Sequence, residues 1–390
     1  MKPDHLFSAG WRVFFLAAGL WGVLSVALWL MWWWTGSDGG LGVAPQLWHA
    51  HEMIFGYAVA AIGGFFLTAV PNWTGAKEAP ERFILLVSGL WLAGRLAVGL
   101  SGALPAALVA VVDLAFLPVL AAKILTQLMV RPKPQNMMFL LLISMLWLSN
   151  LMVHLEWMGL AGTEMQGLRA GLLTVCAMIA AMGGRVTPAF TRNAMLREGQ
   201  EARLPVSHQK LDLAGTALAI LTALTMLIGL PDAVTGTLAL LAGLAALARL
   251  SGWRALALPG QPIVWALHLG YGMLALGFIA WGLAQLGLGS EIGALHLLGI
   301  GGIGGMTVAV MSRAALGHSG RALVAPRPVA LAYALMPLAA ILRWAGSEWA
   351  GLYGLGVVGA ALLWCLALAL YTVALWPVFF AARPRGKVAA

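Results

Sequence analysis

The stretch Trp48-His49-Ala50-His51-Glu52-Met53-Ile54-Phe55-Gly56, continuing through Phe65-Phe66-Leu67-Thr68-Ala69-Val70-Pro71-Asn72-Trp73-Thr74-Gly75, sets two imidazoles and a carboxylate at the rim of a long apolar run. Ionisable groups in lipid are costly, so such a cluster points inward to a cofactor, a pathway or a partner. Imidazole is the standard neutral nitrogen ligand for haem iron and for copper, and it can be buried uncharged, which a carboxylate cannot do so cheaply. On a regular helix His49 and His51 point to nearly opposite faces, so either they serve two centres or this end is not helical. His49 lines up with Glu52 at i+3, which makes Glu52 the carboxylate expected to fix the His49 tautomer.

A flat ligand is the reading for Gly293-Ala294-Leu295-His296-Leu297-Leu298-Gly299. Gly293 and Gly299 share the face of His296 and remove the side chains that would block a macrocycle. Close helix packing is the alternative, and Gly301-Gly302-Ile303-Gly304-Gly305 supplies a small-residue pattern for it deeper in the run. His268 can ligate or simply hydrogen-bond a neighbouring helix. His154, beside Glu156 near a helix end, reads as interfacial, and His208 and His318 as water-facing. Arg95, Arg185, Arg192, Arg313, Arg321 and Arg343 can pair with haem propionates, with topology and snorkelling as the alternative. Arg95 and Arg343 are the better propionate candidates because they lie on the side otherwise poor in basic residues. Met53 and Met306 are soft-metal options among methionines that mainly fill the core.

Holding these residues requires a membrane protein. Of 390 residues 61% are hydrophobic and 9% charged, and the mean hydropathy is +0.90, so no water-soluble domain fits. Apolar runs of crossing length recur at Trp11 to Trp34, Leu47 to Pro71, Phe83 to Leu100, Leu104 to Met129, Asn136 to Met158, Met165 to Pro188, Leu211 to Leu230, Ala233 to Leu250, Pro262 to Leu286, Ile292 to Ala314, Pro328 to Ala345 and Gly351 to Phe379. The fold class is all-α: one polytopic domain over 1–390, a single bundle of about twelve transmembrane helices. The first run, beginning near Phe14, is too long for a signal peptide and is taken as retained.

The connectors alternate in charge. Lys2, Arg12, Lys77, Arg82, Lys123, Arg131, Lys133, Arg185, Arg192, Arg197, Arg203, Lys210, Arg249, Arg254, Arg313, Arg321, Arg327, Arg383, Arg385 and Lys387 fall on one side, and Arg95, Arg169 and Arg343 on the other. Basic sides are cytoplasmic, which puts both termini inside and turns His49, His51, His154 and His296 toward an outward pocket, with His268 in the inner part of its span. The connector Thr191 to Gln209 is expected to be a loop with a short surface helix.

The same pattern excludes several classes. The net charge of +9 is spread over short connectors, so nucleic acid is not a partner. Cys176 and Cys365 lie inside spans, which leaves no disulfide framework or thiolate zinc site, and no Cys-x-x-Cys-His motif exists for covalent haem. No nucleotide-binding loop appears, and no internal repeat supports an inverted-repeat transporter.

Three blocks resemble the NnrS proteins of bacteria, a family associated with the response to nitric oxide. They are Trp48 to Gly56 with its continuation to Gly75, Gly183-Gly184-Arg185-Val186-Thr187-Pro188 with Thr191-Arg192-Asn193, and His296 through Met311-Ser312-Arg313-Ala314-Ala315-Leu316-Gly317-His318-Ser319-Gly320-Arg321. Trp265-Ala266-Leu267-His268-Leu269-Gly270-Tyr271 is similar to a fourth block, which raises the weight on His268 as a ligand. The resemblance implies a polytopic protein of the bacterial inner (cytoplasmic) membrane that contains haem and copper.

The resulting expectation is non-covalent haem b, with copper as a further metal, held by His49, His51, His268 and His296. Nitric oxide is the expected ligand, since ferrous haem with an open axial position binds diatomic gases. Three classes compete: a quinol-linked haem-copper oxidoreductase that detoxifies the gas and takes protons through Glu52, Thr68 and Glu156; a non-catalytic haem sensor or sink; and a haem or metal transporter. Haem type, oligomeric state and the iron and copper assignments stay open.

Overall fold

A computed structural model describes residues 3–382, and Lys2, Arg383, Arg385 and Lys387 of the charge pattern lie outside them. Among the described residues all regular structure is helical. Twelve helices are long and apolar enough to cross a membrane: α1 (Gly10–Thr35), α2 (Pro45–Thr74), α3 (Glu81–Gly99), α4 (Ala106–Leu128), α5 (Pro134–Trp157), α6 (Glu164–Arg197), α7 (Gln209–Leu227), α8 (Asp232–Ser251), α9 (Pro262–Gln285), α10 (Glu291–His318), α11 (Arg327–Glu348) and α12 (Ala350–Phe380). The chain is a multi-pass membrane protein, because only intra-segment hydrogen bonding satisfies so much backbone in hydrocarbon.

Local chemistry sets the helix ends. Pro45, Pro134 and Pro262 open α2, α5 and α9, where a missing N–H costs nothing. Gly36 (φ 70°) and Gly75 (φ 74°) close α1 and α2 in the left-handed conformation that a side chain would oppose. The connector after the sixth span departs from expectation. No separate surface helix forms over 198–208; α6 itself continues to Arg197 and stops at Gly199 (φ 70°).

Two helices are not regular. In α2 the segment Glu52–Ala58 is π-helical, and in α10 so is Leu297–Gly304. Each begins immediately after a candidate ligand, His51 in one and His296 in the other. A π turn widens the helix, leaves the ladder out of regular register and recurs at functional sites. Face relations from 3.6-residue spacing therefore fail just beyond both histidines.

The helices cluster into two compact units. The first holds the chain up to Gly171 with Ala314–Arg321 and the stretch from Thr372, and the second holds Leu172–Arg313 with Ala322–Tyr371. Within the first, glycines bring α1 against α2: a Cβ at Gly64 would lie 2.7 Å from the Phe15 ring, and one at Gly10 would lie 2.6 Å from Leu67. Within the second, Gly243 of α8 meets Ala275 of α9, and Gly270 and Gly277 of α9 meet Met306 and Leu298 of α10. Such close approach is how helices gain packing where lipid gives no hydrophobic drive.

Candidate metal centre

In the first unit a polar cluster is sealed among apolar side chains: His51 and Glu52 from α2, Arg95 from α3, Asp113 from α4, and Asn150 and His154 from α5, all buried. Asp113 is its hub. Its Oδ1 pairs with the Arg95 guanidinium, and its Oδ2 accepts from His154 Nε2 at 2.9 Å and Asn150 Nδ2 at 2.8 Å. His51 Nε2 lies 3.3 Å from the same oxygen. Because Asn150 turns its Nδ2 to the carboxylate, its Oδ1 faces His51 Nε2 at 2.9 Å. Glu52 Oε1 accepts from His51 Nδ1 at 3.0 Å and from Arg95 at 2.7 Å.

The cluster can hold a metal ion. One ligand atom each of His51, Asp113 and His154 lies within 4.8 Å of the others. Ligands about 2.0–2.1 Å from a tetrahedral ion stand about 3.3 Å apart, close to the spacing around Asp113 Oδ2. Glu52 behind His51 Nδ1 supplies the carboxylate that orients a ligating imidazole. Both nitrogens of His51 face acceptors here, so a metal at Nε2 would displace the proton it shares with Asn150. His154 Nδ1 and Glu52 Oε2 are buried without hydrogen-bond partners.

Trp157 covers the imidazoles, its ring 5.0 Å from His51 and 4.9 Å from His154, and its indole N–H donates to Glu164 at 2.6 Å. On another side a cavity of about 10 Å³ is lined by Arg95, Asp113, Asn150, Trp91, Phe55 and Phe116. That is room for one water-sized molecule.

Several expectations change here. His154 is fully buried and bound to Asp113, so it is part of the cluster and not interfacial. Glu52 serves its chain neighbour His51, whose Nδ1 its Oε1 meets at 3.0 Å. His49 is half-buried and stacks on Trp29 at 4.6 Å. Arg95 is engaged by two carboxylates. Met53 sulfur lies 3.7 Å from the Ser25 hydroxyl, whose proton goes to the Trp21 carbonyl. Sequence reasoning missed Asp113 and Asn150, although a lone carboxylate inside Val109-Ala110-Val111-Val112-Asp113-Leu114 was a usable signal.

The second unit holds the other predicted ligands. His296 Nδ1 donates to the Ile292 carbonyl at 2.7 Å, which leaves Nε2 as the bare nitrogen. A Cβ on Gly299 would meet nothing within 4 Å, whereas one on Gly293 would lie 3.0 Å from Trp344 and 3.1 Å from Ser347. Gly299 thus borders open space, and Gly293 is a packing contact with α11. Arg343 is the charged neighbour of His296 and bonds Ser347 at 2.5 Å. Its Nε is buried without a partner. The Thr191 hydroxyl gives its proton to Thr187 O, so it accepts from His268 Nε2 at 2.8 Å, and the buried His268 Nδ1 is left unpaired. Arg313 stacks on Phe190 at 3.9 Å, Arg185 is exposed, and Met306 packs on Gly183.

The NnrS protein family is matched over residues 5–383, nearly the whole chain. The chain belongs to the NnrS family. No curated protein is matched. Membership makes this NnrS protein, in general terms, a haem- or metal-associated membrane protein of the nitric oxide response. Two family blocks acquire physical reasons. In Gly183-Gly184, a Cβ at Gly184 would collide with the Arg249 guanidinium, which binds Asp212, Tyr271 and the Ala180 carbonyl. In the Trp48–Gly56 block, a Cβ at Gly56 would lie 2.5 Å from Trp21 Nε1 and 2.8 Å from Glu52 Oε2. Gly56→Ala is therefore expected to push Glu52 off its partners and destabilise by about 1–3 kcal/mol, the usual overpacking cost, read as a lower thermal midpoint in detergent.

Proposed function

We propose that this NnrS protein binds nitric oxide in the bacterial inner membrane at haem and copper, and so contributes to nitrosative stress resistance. It works as one polytopic domain with both termini cytoplasmic. The observation that carries the reading is the convergence of His51, Asp113 and His154 from three membrane-spanning helices, beside a cavity for one small molecule.

The residues fit both groups. With neutral imidazoles, the two carboxylates of the cluster outweigh Arg95 by one negative charge, which offsets part of the charge of a copper ion at His51, Asp113 and His154, and the two imidazoles are donors that suit copper. His296 fits haem iron, because its Nδ1–H is tied to a carbonyl and Nε2 is left as the ligand, with Arg343 placed for a propionate. When bound, these groups supply the open coordination positions that hold a diatomic gas. The chain's own residues orient the ligands, exclude water through Trp157, Trp91, Phe55 and Phe116, and keep the cluster's charges paired. Haem b, quinol as donor, and turnover of the gas extend this reading.

The test is spectral. Purified protein made with ample haem and copper should show a Soret band that shifts on adding nitric oxide, and copper by elemental analysis. Protein with neither a Soret band nor bound metal would end the reading.

A further inference from the structure

The second unit carries a groove of about 650 Å³ at the end of α8. Its lining includes Leu247 and Leu250 from α8, Met195 from α6, Leu256, and two arginines, Arg203 and Arg254. No acidic residue lines it. We infer that this groove binds the phosphate headgroup of an anionic phospholipid, with Arg203 and Arg254 on the phosphate and an acyl chain along the leucines.

Four observations carry the inference together. The groove lies where α8 ends at Ser251, with Leu247 and Leu250 of the last turns in its wall, so a lipid whose tail follows α8 brings its headgroup to the arginines. Leu256 is 90% exposed, which is costly in water and favourable against an acyl chain. Both arginines hold left-handed backbone, Arg203 at φ 54° and Arg254 at φ 61°, uncommon for residues with a side chain and typical of ligand clamps. They are also locked together: Arg254 Nε donates to the Arg203 carbonyl at 2.8 Å, and Val206 N donates to the Gly252 carbonyl at 3.0 Å, joining the two loops. The acids of the adjoining loop, Glu198 and Glu201, both lie outside the lining.

Full-length protein in detergent, stripped of lipid, tests this with phosphatidylglycerol, phosphatidylcholine and inorganic phosphate as separate probes. Native mass spectrometry should find phosphatidylglycerol retained over phosphatidylcholine by about twenty-five-fold, from roughly fivefold for each of the two arginines at an anionic surface. Phosphatidylglycerol alone should raise the thermal midpoint. The double variant Arg203→Gln with Arg254→Gln should lose both effects. Equal retention of the two lipids, or undiminished selectivity in the double variant, would overturn the inference. A midpoint shift from inorganic phosphate matching that from phosphatidylglycerol would replace the lipid with a free anion. The wild-type comparison requires no variant to fold, and none of these readouts depends on haem or copper.

Discussion

Asp113→Asn is expected to destabilise the protein by about 3–5 kcal/mol, the usual cost of stripping one partner from a buried ion pair, and to abolish metal at the first unit's cluster. The substitution keeps the shape of the side chain and removes only its charge. Arg95 then has Glu52 alone as counter-ion, and one amide oxygen must replace a carboxylate that served Arg95, Asn150 and His154. Thermal unfolding in detergent and elemental analysis read the two effects. Adding Arg95→Gln should not restore the stability, because Glu52 then stays buried without its guanidinium partner, and the metal stays lost. A single variant that keeps both its midpoint and its metal would show that Asp113 is neither hub nor ligand.

The helices were largely legible because membrane crossing imposes length and hydropathy on each of them, and the expected limits lie within a few residues of most helix ends. The polar cluster was only half legible. His51, Glu52 and Arg95 drew attention as charges where charge is expensive, yet the partner assigned to Arg95 was a propionate, since nothing local ties it to Glu52 or to Asp113 on another helix. Asp113 itself is diluted: one carboxylate barely lowers the hydropathy of α4, and its partners lie on α2, α3 and α5. The π turns were invisible because apolar periodicity does not register one extra residue per turn. That is why the face shared by Gly293 and Gly299 divides into a contact with Trp344 and an open position.

His296→Ala is expected to abolish the Soret band while leaving copper in place, and His51→Ala to do the reverse. The argument rests on which nitrogen each ring exposes. His296 spends Nδ1 on the Ile292 carbonyl and presents Nε2, the atom farther from the backbone, beside the open position at Gly299. His268 is the opposite: Thr191 holds Nε2, and the bare Nδ1 is the ring nitrogen nearer the main chain, the harder side for a macrocycle to reach. His268→Ala should therefore keep its haem. To separate a lost ligand from a misfolded protein, His296→Gly should regain a Soret band when free imidazole is added, since the small base can occupy the vacated site. Haem lost in His268→Ala and kept in His296→Ala would reverse the assignment.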